Sequence, residues 1–104
     1  HQFRQINMPQ AGIPDTVPIC IGENGWPTNS TRSYERQAEA LETIIRTVYA
    51  HRETFNISGY ELFDLRDADS SQENIFYQFG LLRDDYAPKP AYNVFRKLVT
   101  ELSN

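Results

Sequence analysis

Ile19-Cys20-Ile21-Gly22-Glu23-Asn24-Gly25-Trp26-Pro27 is an apolar run that ends abruptly in a carboxylate, with Gly, Trp and Pro close behind. A buried strand that delivers one charged side chain to a pocket and then turns away has this pattern. Glu23 is therefore read as a catalytic carboxylate. Strand-end carboxylates also cap helices or pair with arginines, and Glu23 has no partner visible in the sequence. A second run, Asp67-x-Asp69-x-Ser71-x-Glu73, hints at a calcium loop. An EF-hand needs Gly at loop position six and Glu at position twelve, where this chain has Gln72 and Gln78. With two His and one Cys, a zinc site built from this chain alone is not expected either. No metal and no cofactor is expected.

These residues need elements to hold them. Residues 1–16 read as the tail of a preceding element and a connector, in which Pro9, Gly12 and Pro14 break any helix. Val17 to Gly22 reads as a strand buried on both faces, as in a parallel sheet, with Cys20 a small apolar residue inside it. A loop over 24–33 leads to a helix capped by Ser33, with Glu35 in its first turn. Ala38, Leu41, Ile45 and Val48 recur at helical spacing, and the helix is predicted to run to about Glu53. Asn56 to Gly59 connect to a second strand, roughly Tyr60 to Leu65, followed by a long polar loop to about Gln78. Phe79 to Leu82 is a short apolar segment, and Pro90 opens a last helix with Ala91, Val94, Phe95, Leu98 and Leu102 on one face. The order is strand, helix, strand, helix, with crossovers long enough for a parallel pair. It fits an open doubly wound sheet or a slice of a βα barrel, and periodicity does not choose between them. Both place function at the carboxyl ends of strands, where Glu23 and Asp64–Asp69 lie.

The chain has 104 residues, one small domain's worth. Apolar residues make up 39% and charged residues 23%, an ordinary globular mix. Its net charge is −4 and no Lys/Arg cluster occurs, so nucleic acid is not an expected partner. No apolar run approaches the roughly 20 residues of a membrane span, so no membrane is expected. A start at His1 reads as a chain processed or cut from something longer. Thirteen aromatics (six Tyr, six Phe, one Trp) suit sugar stacking and core packing alike.

Ile21-Gly22-Glu23-Asn24-Gly25-Trp26-Pro27-Thr28 resembles the strand-seven motif of clan A glycoside hydrolases, (β/α)8 barrels that cleave β-glycosides with retention of configuration. Further segments agree in order. Gly12 before Val17-Pro18 resembles the lead into that strand, and Gln37-Ala38 falls in the following helix. Tyr60 to Asp67 resembles strand eight and its exit. Phe79-Gly80-Leu81-Leu82 and Lys89-Pro90-Ala91-Tyr92 resemble the closing segment of these barrels. The resemblance implies an α/β fold: a partial (β/α)8 TIM barrel, strands 7 and 8 with their helices, residues 1–104 being the C-terminal segment of the barrel domain. A whole barrel takes roughly 250 residues.

The resemblance also implies roles. Glu23 falls on the family's nucleophile. The acid/base carboxylate, an Asn-Glu pair at the end of strand four, lies outside this chain, which alone is expected to be inactive. The implied ligand is a carbohydrate, a β-glycoside, and the family's habit favours extracellular or periplasmic action. Asn24 and Trp26 are candidates for sugar contact, against ordinary turn chemistry for Asn24 and loop packing for Trp26. Where the family often carries a Trp platform this chain reads Leu62-Phe63-Asp64, so either Phe63 substitutes or Leu62 holds that position. Asp64, Arg66, Asp67 and Asp69 could bond sugar hydroxyls, with an Arg–Asp network fixing the loop the favoured alternative for Arg66 and Asp67. Phe76, Tyr77 and Phe79 could form a binding lip, or a plug in the case of Phe79. His51 at a helix end suits the dipole and nothing catalytic. The alternative function is a non-catalytic carbohydrate-binding or structural fragment. Two βα units leave sheet edges unpaired, so the chain is expected to need the N-terminal part of a barrel or to self-associate.

Overall fold

The computed structural model describes residues 1–103. A π-helical turn, Phe3–Asn7, runs into α1 (Met8–Gln10). Then follow β1 (Ile19–Asn24), α2 (Tyr34–Ala50), β2 (Ile57–Leu62), a 3-10 turn (Ile75–Tyr77) and α3 (Pro90–Leu102). The fold is mixed α/β, with β1 and β2 pairing in parallel as a two-stranded sheet.

The N-terminal helical segment corrects the expectation that Pro9, Gly12 and Pro14 exclude a helix. Pro9 sits in the first turn of α1, a position that tolerates proline. Gly12, at φ 75°, ends the helix instead. Its N–H reaches Pro9 O at 3.0 Å, and the N–H of Ile13 reaches Met8 O at 2.9 Å. Arg4 anchors this segment. It is buried, and its guanidinium donates to the carbonyls of Phe55 (2.7 Å), Val17 (2.8 Å), Asn56 (3.3 Å) and Asp15 (3.4 Å). One side chain thus ties the first helix to the approaches of both strands. Replacing Arg4 with Met is expected to cost about 2–3 kcal/mol, since hydrogen bonds from a charged donor are the stronger kind. The measurement is the urea midpoint. Arg4→Lys should recover only part of the loss, because an ammonium cannot span four acceptors. An unchanged midpoint in Arg4→Met would contradict the anchor.

Both strands begin and end at other residues than the pattern predicts. β1 starts at Ile19 rather than Val17, since Pro18 has no N–H to pair, and it extends through Glu23 to Asn24. β2 begins at Ile57, drawing the expected connector into the ladder, where Ile57 pairs with Ile19. Asn56, at φ 51°, makes the turn into it, and α2 stops earlier than expected, at Ala50. Ser33 caps α2 as predicted, its side chain accepting from the Arg36 N–H at 3.0 Å.

The core lies on one side of the sheet. Ala38, Leu41, Leu81 and Ala91 are buried, with Ile45, Leu62, Tyr92, Val94 and Phe95 packed against them. Arg46 on α2 reaches Glu101 on α3 with two bonds of 3.0 and 3.1 Å, bracing the helix pair. The other side of the sheet has no covering layer among the described residues: Cys20, Gly22, Ser58 and Glu61 are exposed there. This corrects the reading of β1 as buried on both faces and of Cys20 as a buried residue. Alternating apolar and small side chains leave the strand one packed face, not two. No helix among the described residues is long and apolar enough to cross a membrane.

Candidate active site

Glu23 is the last but one residue of β1, and its side chain is exposed. It makes no hydrogen bond or ion pair with any described residue. Its backbone is left-handed, at φ 50°. That conformation costs an L-residue roughly 1–2 kcal/mol, and it persists where the surroundings fix it. Here the next two residues do the fixing. The Asn24 side-chain oxygen accepts from the Tyr60 hydroxyl at 2.9 Å, and Asn24 O accepts from the Phe63 N–H at 2.9 Å. Burial pushes the Tyr60 phenol above its ordinary value. A Cβ on Gly25 would overlap the carbonyl oxygen of Phe63, so only glycine lets the two strand exits approach this closely. Asn24 is thus engaged with β2.

Trp26 packs within the loop. The guanidinium groups of Arg32 and Arg36 lie over its ring at 5.2 and 5.4 Å, and its carbonyl accepts from the Gln37 side chain at 3.0 Å. Phe63 is 40% exposed and meets Phe79 edge-to-face at 5.5 Å. The Phe63–Asp64 peptide is cis. Tyr77 sits on the 3-10 turn, exposed, with its carbonyl accepting from the Ala68 and Asp69 N–H groups.

Asp64 lies where the two strand exits meet, and its Oδ1 is buried without a hydrogen-bond partner. Burial raises its pKa above the ordinary 3.8, the Asp67 charge raises it further, and Lys89 and Arg66 oppose the rise. The folded state therefore holds a proton on Asp64 above the pH at which the unfolded chain releases it. The sign is fixed by that: this group's contribution to stability is full below pH 3.8 and is lost as pH rises through the higher folded value. Asp64→Asn should remove that decline. Urea midpoints of both proteins, measured upward from pH 3.8, should converge at the acid end and separate in favour of the Asn variant above it. Parallel profiles would contradict the assignment.

Sequence reasoning missed the group that ties these segments together. Lys89 Nζ is buried and donates to Asp67 Oδ1 at 2.8 Å and to Thr28 Oγ1 at 3.0 Å. Asp67 also accepts from Gly80 N at 2.8 Å and from Ser70 Oγ at 2.9 Å. Thr28 bonds the Gln78 side chain at 3.2 Å, and Gln37 donates to Gly80 O at 3.1 Å. The loop after β1, the loop after β2 and the start of α3 are joined at one point. Burial lowers the Lys89 pKa, and Asp67 works against that shift. A signal existed in the sequence: Lys89 is the N-cap of α3, where the helix dipole disfavours a cation. Asp67 does fix the loop, but through Lys89, correcting the expected Arg66–Asp67 network. Arg66 instead lies over the Tyr86 ring at 5.0 Å and donates to Asp84 O.

The hinted calcium ligands diverge. Asp67 faces Lys89, Asp69 accepts from Ser71, and Glu73 accepts from Ser30 Oγ at 2.6 Å. No group of three His, Cys, Asp or Glu side chains converges among the described residues. His51 caps α2 and stacks on Phe55 at 5.6 Å.

No protein-family model and no curated protein matches the sequence. Solved structures do. A GH5_18 protein from Streptomyces cattleya, in complex with GlcNAc, superposes over 100% of this chain with a TM-score of 0.74 at 21% identity. A family 39 glycoside hydrolase from the gut symbiont Bacteroides cellulosilyticus WH2 covers 73% of it with a TM-score of 0.56 at 29% identity. The chain resembles part of a clan A glycoside hydrolase. It spans 25% of the length of the first and 15% of the second. The clan A likeness covers the α/β fold with its parallel strand pair, matching part of a TIM-barrel hydrolase.

Proposed function

We propose that these residues are the C-terminal segment of a retaining glycoside hydrolase acting on β-linked glycosides, with β1 and β2 as the seventh and eighth barrel strands. The observation that carries this reading is Glu23: an exposed carboxylate without a partner among the described residues, held in a left-handed conformation at a strand's carboxyl end. The Glu23 carboxylate attacks the anomeric carbon and the bond to the leaving oxygen breaks. A second carboxyl group, supplied by another stretch of chain, donates its proton to that oxygen. The same group then takes a proton from water, which attacks the anomeric carbon and releases Glu23. In a retaining enzyme the two carboxyl groups stand about 5–5.5 Å apart. Phe63, Asp64, Asn24, Trp26 and Tyr77 are the proposed sugar contacts.

Each strand has one free edge, and an apolar groove of about 600 Å³ opens beside β2 between α2 and α3, lined by Ile45, Tyr49, Ile57, Tyr60, Phe95 and Leu102. The remaining barrel would cover these surfaces. The test is the anomer first released by the longest natural polypeptide containing these residues, read by proton NMR on a panel of aryl β-glycosides. The β-anomer is expected first. Initial release of the α-anomer would rule out a retaining nucleophile.

A non-catalytic carbohydrate-binding segment is the second reading, favoured by the exposure of Phe76 and Tyr77. Sugar binding with no hydrolysis of any aryl glycoside in the panel would select it.

A further inference from the structure

The most exposed of the large apolar side chains lies beyond the proposed reaction centre. Phe76 is 75% exposed, on a turn that hydrogen bonds hold in place. Asn74 caps that turn by accepting from the Phe76 N–H at 3.0 Å. Upstream, Glu73 is bonded to Ser30, and its carbonyl accepts from Asn29 at 3.1 Å. Downstream, buried Gln78 is bonded to Thr28 and to Gln72. A loose loop tip would let the ring fold down onto its neighbours, whereas this turn is tied at both ends with the ring out. Phe76 is also not isolated. Its ring stands 6.5 Å from Phe79, which stands 5.5 Å from Phe63 and whose ring lies against Gly25, two residues after Glu23. The three rings thus form one connected cluster beside the Glu23 turn, of which Phe76 is the most exposed member. Exposed aromatic faces held rigid are suited to stacking on the apolar faces of sugar rings at little entropic cost.

We propose that Phe76 is a specificity-determining platform for an outer sugar residue, so that the ligand at this site is a β-linked oligosaccharide and not a monosaccharide. This inference rests on the carbohydrate part of the proposed function and not on the nucleophile assignment. Binding to the longest natural polypeptide containing these residues would be measured by calorimetry, with β-linked gluco-oligosaccharides and N-acetylglucosamine oligosaccharides from dimer to hexamer. Affinity should rise with length. Phe76→Ala should lower hexamer affinity roughly three- to tenfold and leave the dimer unchanged, while Phe76→Trp should keep or steepen the rise. Glu23→Gln should keep the length dependence, which separates this inference from the chemistry. The same length dependence in Phe76→Ala, or no binding of either series, would overturn it. So would a lowered urea midpoint in Phe76→Ala, which would mean that the ring packs against protein.

Discussion

Glu23→Gln is expected to lower kcat on an aryl β-glycoside by about 10⁴-fold or more in the complete enzyme, with the fold intact. The proposed chemistry requires a carboxylate that can form an ester with the anomeric carbon, and an amide of the same shape cannot. The structural side of the expectation is as specific. Glu23 is exposed and has no hydrogen bond or ion pair to lose among the described residues. Stability should therefore change by no more than about 0.5 kcal/mol, the usual range for a surface substitution. Glu23→Gly should go further. Glycine accepts φ 50° without the steric cost that Glu bears. The glycine variant is expected to be about 1 kcal/mol more stable and inactive. A residue whose removal stabilises the fold and abolishes the reaction is a residue kept for function. If Glu23→Gln retained activity within tenfold, the nucleophile would have to be sought elsewhere. If either variant were destabilised, Glu23 would have a structural role that its exposed side chain does not show.

Lys89→Met carries the second large effect, on stability. It leaves Asp67 charged and buried, still accepting from Ser70 Oγ and the Gly80 N–H, with its cation gone. Breaking a buried pair from one side costs about 3–5 kcal/mol. Against a total of about 5–15 kcal/mol for a typical domain, this is enough to populate unfolded chain at room temperature. Asp67→Asn in the Lys89→Met background should recover part of the loss, because Asn is neutral and can still accept the Gly80 N–H. Chemical denaturation of the single and double variants checks both statements. A Lys89→Met stability within about 1 kcal/mol of the parent would contradict the account of the pair. So would a double variant no better than the single. Activity should fall with the fold in these variants, since Lys89 reaches the proposed reaction centre only through the loops that it joins.

The elements that the sequence made legible are those held by local chemistry. Ser33 caps α2 and Pro90 opens α3 because caps and first turns are decided within four residues. Strand limits were less legible because they depend on pairing: Ile57 joins β2 only because Ile19 lies beside it. Cys20 and its face of β1 are exposed among the described residues, where burial was expected, for a related reason. An Ile-Cys-Ile run is equally consistent with two packed faces or one, and only the tertiary arrangement decides. At the proposed site, Glu23 draws notice in the sequence because a carboxylate closing an apolar run is a local oddity, and its exposure and backbone conformation come only from the fold. The Lys89–Asp67–Thr28 junction joins residues up to 61 positions apart, and no local pattern records such a contact.

Covalent labelling tests most directly whether Glu23 is the nucleophile. The longest natural polypeptide containing these residues would be incubated with 2-deoxy-2-fluoro-β-glycosides of glucose, mannose, galactose and xylose bearing a dinitrophenolate leaving group, then digested and mapped by mass spectrometry. One fluoroglycosyl adduct is expected, on the peptide containing Glu23 and absent in Glu23→Gln. An adduct on any other residue, or none with any of the four reagents, would contradict it.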